Sequence, residues 1–219
     1  MWDERTGIAT RRGLAATSLI ALVLFAVAWV WGDAVVARHG AEWAASFKTF
    51  PMPAIAVFRY SLVLFYFFYL GLFITGVWRT LFTLVEQAGI YFVGQLLVSM
   101  TTVQLLKRAF GRPRPFLDEV AWQPLSGEAA FHSFPSGHSA DAALGLAVLL
   151  CRPAPIWLRV VAGLLFSLTV VDRLIEDKHY ATDVVAGTYL GFVGAILVAM
   201  AAKRWLWRSS PDASDDSST

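Results

Sequence analysis

Three short polar stretches interrupt an otherwise apolar chain, and their residue types suit work on a phosphate. They are KRAFGRPRP (Lys107 to Pro115), PSGH (Pro135 to His138) and DRLIEDKHYATD (Asp172 to Asp183). In the third, His179 and Asp183 stand four apart where a helix is predicted to begin, so their side chains share one face. A carboxylate there can accept the imidazole Nδ1–H, fix the tautomer and support charge on the ring, which leaves Nε2 as a base or nucleophile. The same spacing also suits a simple interfacial hydrogen bond, and spacing alone does not separate the two.

The second stretch offers an anion site. Ser136 is a good N-cap, and the first amides of the following helix are donors without intrahelical partners. Gly137 lets an oxyanion come close to the backbone, and a helix N-terminus of this kind cradles phosphate. By itself "SG" is only a cap; His138, next in the chain, adds an acid–base group. The first stretch supplies cations. Lys107 and Arg114 are seven apart, with Gly111, Pro113 and Pro115 ending the helix. Arg114, held between prolines, can present a bidentate fork to a phosphoryl group, and Arg173 is a further cation. Arg108 and Arg112 read as snorkelling side chains that meet lipid headgroups. The inventory reads as metal-free phosphoryl transfer, with cations spreading the charge of the equatorial oxygens while one histidine attacks and the other donates a proton.

Apolar helices must position these groups. Of 219 residues, 57% are hydrophobic and 16% charged, at a mean hydropathy of +0.58. Soluble domains carry roughly 25% charged residues, so the chain reads as one membrane-embedded unit. About 20 apolar residues cross a bilayer as a helix. Leu14–Trp31, Tyr60–Val77, Ala88–Leu106 and Val184–Ala202 meet that length closely. His138–Cys151 and Ile156–Val171 complete a set of six, with polar residues at their ends and "RPAP" between them. Arg59 sits at the edge of the second span, placed to snorkel. Six spans put both termini on one side and all three polar stretches on the other. The cations divide almost evenly between the faces. Setting Lys107, Arg114 and Arg173 aside as site residues tilts the balance toward cytoplasmic termini.

The expected fold is therefore all-α: a six-helix transmembrane bundle over residues 1–208, with its site at the outer interface. A polar, acidic tail over 209–219 should be disordered. The first segment also resembles a signal peptide cleaved after Ala37, but its apolar run exceeds the usual 7–15 residues, and a retained helix is preferred. The net charge of +2 gives no basis for nucleic-acid binding. Cys151 is the only cysteine in the chain; it supports neither a disulfide framework nor a thiolate metal cage, and reads as a small buried hydrophobe. His39 reads as a loop residue. His132 lies near the site without an assigned role.

Taken in order, the three stretches resemble the type 2 phosphatidic acid phosphatase family. Its signature runs Lys, six residues, Arg-Pro; Pro-Ser-Gly-His; and Ser-Arg, five residues, His, three residues, Asp. Every internal spacing is met between Lys107 and Asp183. The resemblance implies a lipid phosphatase that needs no metal or cofactor. His179 would form a phosphohistidine, Asp183 would orient it, and His138 would protonate the leaving oxygen and then activate water. Lys107, Arg114, Arg173, the Ser136 hydroxyl and the Gly137 amide would hold the phosphate.

One position departs: Asp172 stands where the family often has serine, and an acid there could weaken phosphate affinity. Asp141, a turn beyond His138, is read as a hydrogen-bonding group within the bundle rather than a partner of His138. The resemblance further implies a bacterial cytoplasmic membrane with the site facing the periplasm. Substrates of small relatives include phosphatidylglycerophosphate, undecaprenyl pyrophosphate, phosphatidate and lipid A phosphates, among which no residue chooses. Phe110, Phe116, Trp122, Phe131 and Phe134 are expected to anchor the 107–134 loop at the interface and border the acyl chains. Three competing readings are a lipid-to-lipid phosphotransferase, a metal enzyme ligated by His138, His179 and Asp183, and a non-catalytic lipid-phosphate binding or transport protein. The cationic surroundings argue against the metal, since fixed positive charges repel a divalent ion.

Overall fold

Helix α1 (Glu4–Val27) passes through a π-helical stretch (Ala28–Gly32) into α2 (Asp33–Phe47), forming one long rod. No proline interrupts the chain before Pro51, so the helix continues well past the predicted end of the span at Trp31. His39 consequently lies in α2, where its ring stacks on Trp43 and its Nδ1 is 3.4 Å from Glu42, rather than in a loop. Helix α3 (Met52–Trp78) follows, with a proline in its first turn where the missing N–H costs nothing. Helix α4 (Phe82–Gly94), a second π-helical stretch (Gln95–Val103) and α5 (Gln104–Phe110) make the third rod. The last three rods are α6 (Gly137–Cys151), α7 (Ile156–Ile175) and α8 (Ala181–Arg208). This computed structural model describes residues 4–117, 121–151 and 154–208, with side chains from residue 15 to 204. The tail expected to be disordered lies outside the described residues, as do Arg152 and Pro153 of the "RPAP" connection. Among the described residues there is no strand.

Each predicted span falls within one of the six rods. Four helical segments are long and apolar enough to cross a membrane: Ala15–Phe47, Met52–Trp78, Phe82–Leu117 and Ala181–Arg204. Helix α6 is shorter, and its surroundings explain why it needs no lipid. Every residue from Ser139 to Leu149 is buried, as expected of a helix apolar on all sides at the centre of a bundle. Around it pack Phe65 and Tyr69 of α3, Ile90 and Tyr91 of α4, Ala162 of α7 and Ala195 of α8. Tyr69 stacks on Tyr91 at 3.9 Å between ring centroids and donates its hydroxyl to the Gly145 carbonyl at 2.6 Å. The outer faces stay apolar and uncovered, among them Leu22, Trp29, Phe67, Leu97 and Leu164. Water would not tolerate so large an apolar surface, whereas lipid does; the chain is an integral membrane protein. Cys151 corrects an expectation: it is exposed, because it ends α6 where the helix emerges from the packed centre.

Close contact between α6 and α8 depends on two small residues. A Cβ on Gly187 would stand 2.1 Å from the Ser136 carbonyl oxygen, and one on Gly191 would stand 2.2 Å from that of Ala140. Glycines four apart let two helix backbones approach in this way, and the approach brings the start of α6 against the start of α8. Asp141 behaves as expected of a bundle residue. It accepts hydrogen bonds from the Tyr66 hydroxyl at 2.9 Å and from the Ser99 hydroxyl.

Gly187→Val should destabilise the protein by about 1–3 kcal/mol or more through forced overpacking. Gly163→Ala, at a position with open space around it, should be neutral or stabilising by up to ~1 kcal/mol. Thermal unfolding of the two variants in one detergent checks both signs.

Candidate active site

The first polar stretch is shaped by how α5 ends. Gly111 caps the helix in the left-handed region at φ 58°, and a Cβ there would collide with the Gln123 carbonyl, so only glycine fits. Backbone bonds then stitch the following segment down. Arg114 N–H donates to Ala130 O at 2.9 Å, and Ser133 N–H to Arg112 O at 3.0 Å. Lys107, on the last turn of α5, is buried at 9% exposure and points toward the start of α6. Its Nζ would be 3.9 Å from a Cβ at Gly137.

The third stretch turns between α7 and α8. Asp177 takes a left-handed conformation at φ 56°, one that Asp tolerates better than most residues. Its carboxylate lies where a Cβ on Gly40 would be, so α2 closes over this turn. Helix α8 then starts at Ala181, with Asp183 in its first turn, where the helix dipole favours negative charge.

Asp183 has no exposed surface, yet its carboxylate is well supplied with donors. Oδ2 accepts from the Tyr180 N–H at 2.8 Å and from the Ser133 hydroxyl at 2.5 Å. Oδ1 accepts from Arg112 Nη1 at 2.6 Å. Those bonds alter the expected partnership with His179. The His179 Nδ1–H donates to the Ser133 carbonyl at 2.8 Å, while Asp183 Oδ2 lies 3.7 Å away, too far to share that proton. A carbonyl can only accept, so the proton sits on Nδ1 and Nε2 keeps its lone pair. Asp183 acts on the ring by charge, and Ser133 touches both groups. Burial holds the His179 pKa below its ordinary value, against the opposing pull of Asp183. The ring is therefore neutral near pH 7.

Arg112 overturns another expectation. It does not reach for headgroups but is buried at 6% exposure. Besides Asp183, it donates to Thr182 Oγ1 at 2.6 Å and to Asp33 at 2.7 Å, with its guanidinium over the Tyr180 ring at 4.1 Å. Asp33 also accepts from the Thr182 N–H and hydroxyl, so α2 caps α8 from another rod. Sequence reading missed Arg112, Ser133 and Asp33. Arg112 looked like one more cation in a basic run, and nothing in the pattern marks which of them turns inward.

One cavity of about 520 Å³ gathers the rest. Arg59, Lys107, Arg114, His138, Arg173, Glu176, Lys178 and His179 line it. Three stretches far apart in the chain thus meet, with both histidines among the lining residues. Arg114 Nε and Arg173 Nε are buried donors with no acceptor among the described residues. Asp172, the residue at the family's serine position, is buried and ion-paired to Arg173 Nη2. Ser136 and Gly137 stand apart from the lining. The Ser136 hydroxyl is fully buried and accepts from the Ser139 hydroxyl at 2.9 Å, so it works as the helix cap. Of the loop aromatics, Phe110, Phe116 and Trp122 are exposed as expected, whereas Phe131 is buried. His132 donates its Nε2–H to the Ser126 carbonyl at 2.8 Å and is not among the residues lining the cavity.

The PAP2 superfamily pattern matches residues 88–207. A lipid A 1-phosphatase of Rhizobium etli is 35% identical over 135 residues, covering 58% of this chain and 57% of its own. One of Rhizobium johnstonii is 34% identical over 135 residues, with 58% and 54% covered. The chain thus spans little more than half the length of these relatives. A PAP2-type phosphatidylglycerolphosphate phosphatase of Bacillus subtilis, known from a crystal structure, shares the fold. Its TM-score is 0.51 at 21% identity, over 87% of this chain and 96% of that one.

Arg112→Gln should cost about 3–5 kcal/mol by leaving Asp183 buried without its cation, with Arg112→Lys recovering only part because it cannot bridge two carboxylates. Chemical denaturation in detergent measures the difference. Because His179 is held below its ordinary pKa, its ring stays neutral as pH falls through 6.5 and protonates only at lower pH. The acid limb of kcat/KM should therefore lie below about pH 6.5; a limb above that value would contradict the assignment.

Proposed function

The chain belongs to the PAP2 superfamily, and from that premise we propose that it is a membrane lipid phosphatase working through a phosphohistidine. The observation that carries the reading is that His138 and His179 line one cavity with Lys107, Arg114 and Arg173. His179 Nε2 attacks phosphorus, and the bond from phosphorus to the lipid oxygen breaks. His138 donates its proton to that oxygen. In the second step water attacks the phosphohistidine, His138 takes the water proton, and phosphate leaves with Nε2 restored. The three cations offset charge on the equatorial oxygens throughout. Asp183 stabilises the charge that develops on the His179 ring, while Arg112, Ser133 and Asp33 position Asp183. The Ser136 hydroxyl, spent as the cap of α6, is given no direct contact with the phosphate in this reading, and the Gly137 amide takes part only through its place beside Lys107.

A lipid substrate suits the surroundings. An apolar groove of about 520 Å³, lined by residues including Leu22, Phe25, Leu106, Phe134 and Leu190, begins one residue from Lys107 and from Ser133. A chain entering from the bilayer can lie there while its phosphate reaches the cations. We place six helices across a bacterial cytoplasmic membrane, with both termini in the cytoplasm and the site toward the periplasm. Support comes from the grouping of all three polar stretches at one end of the bundle. Asp33 adds support for retention of the first segment, since cleavage after Ala37 would remove a partner of Arg112.

Phosphate release from lipid phosphates in detergent, with chelator present, tests the reading. Wild type should release inorganic phosphate, His179→Ala should release none, and His138→Ala should be slowed roughly 10²–10⁴-fold. Release at the wild-type rate by His179→Ala would end the proposal. Loss of wild-type activity on chelation with recovery on added magnesium would favour the metal reading.

A further inference from the structure

The cavity holds more charge than one phosphoryl group uses. Five cationic side chains line it against the single carboxylate of Glu176, while a phosphate monoester carries about −1.5 to −2. Lys107, Arg114 and Arg173 account for the family's phosphate cations. Arg59 and Lys178 stand outside that signature. Arg59 arrives from α3, and its Nε donates to Glu176 Oε1 at 3.1 Å, across 117 positions of sequence. Lys178 Nζ donates to Glu176 Oε2 at 2.6 Å, and Arg173 Nη2 donates to the same oxygen at 3.0 Å.

One carboxylate therefore holds three cations, one of which is also a phosphate-binding arginine. Burial alone would push the Glu176 carboxyl up, but the Lys178 hydrogen bond and the charges of Arg173, Lys178 and Arg59 hold it below its usual range. It is a firmly ionised anion of nearly the size and bonding capacity of a phosphoryl edge. Its side chain is 8% exposed, whereas those of Arg59 and Lys178 are 52% and 39% exposed, so the two cations stand at the mouth and the acid lies between them and Arg173.

We propose that Arg59 and Lys178 form a second anion subsite adjoining the phosphate site, and that Glu176 holds its place when the subsite is empty. Because Glu176 bridges directly to Arg173, the second anion must lie next to the first rather than across a headgroup. The fitting substrate is a lipid diphosphate, whose terminal phosphoryl group meets His179 while the inner one is met by Arg59 and Lys178. This rests on the phosphatase reading and specifies its substrate class. A structural role for the same ion pairs would affect every substrate alike.

The test compares a polyprenyl diphosphate with the matching polyprenyl monophosphate, in wild type and in Arg59→Gln/Lys178→Gln. Both side chains are partly solvent-exposed, which limits the cost to folding. Wild type should favour the diphosphate in kcat/KM. In the double variant that preference should fall by about tenfold, the loss of one charged hydrogen bond of ~1.5 kcal/mol. A fall of less than about threefold (under 1 kcal/mol), or no preference in wild type, overturns the subsite. Calorimetric binding of inorganic pyrophosphate and inorganic phosphate to His179→Ala reads the same discrimination without turnover. If wild type hydrolyses neither lipid, the phosphatase reading falls. If pyrophosphate then still binds more tightly than phosphate and the double variant erases the difference, the subsite stands by itself.

Discussion

A buried carboxylate must be met by donors, and in this protein that requirement falls on Asp183. Enclosed completely, it draws the Tyr180 amide from its own helix end, the Ser133 hydroxyl from the long loop and the Arg112 guanidinium from the segment after α5. Leaving any of these unmade would expose the chain to the full penalty of an unsatisfied buried charge. The need to satisfy one side chain thus ties together segments some seventy residues apart. Ser133 carries the result to His179, since the residue whose hydroxyl serves the carboxylate offers its carbonyl to the ring. The orientation of His179 Nε2 follows from an electrostatic demand made one layer behind it.

Much of this architecture was legible in the sequence. Hydropathy located all six rods because lipid-facing helices leave long apolar runs and the enclosed α6 is apolar on every side, and the spacing within each polar stretch named five of the residues that line the cavity. The misses share a physical cause. Arg112, Asp33 and Arg59 take their roles from partners in other rods, and such pairings leave no periodic trace along the chain. Arg59 was expected to snorkel and instead meets Glu176. Ser133 sat within a stretch already under scrutiny, but its part depends on its backbone carbonyl, which every residue possesses. The continuation of the first helix past Trp31 was hidden by a drop in hydropathy that does not imply a break in the helix.

Asp172 shows how a departure from a family pattern can be absorbed. An acid in place of serine beside an arginine proposed to bind phosphate would be expected to compete with the substrate. Its ion pair takes Nη2, the nitrogen that Glu176 also shares, while Nε has no acceptor among the described residues. The arginine is gripped along one edge and open along another. Two acids on one edge restrict the guanidinium plane, so less rotational freedom is lost when an oxyanion docks.

The glycine contact between α6 and α8 bears on how firmly the cavity is held. His138 begins one of these helices, and the turn carrying His179 leads into the other. Backbones held at that separation cannot part without losing their packing, so the contact fixes the spacing between the segments that carry His138 and His179. At the mouth of the cavity the tie between Arg59 and Glu176 joins α3 to the end of α7. Because Tyr69 also bonds the Gly145 carbonyl of α6, α3 is pinned to the same centre both at the cavity mouth and deep within the bundle.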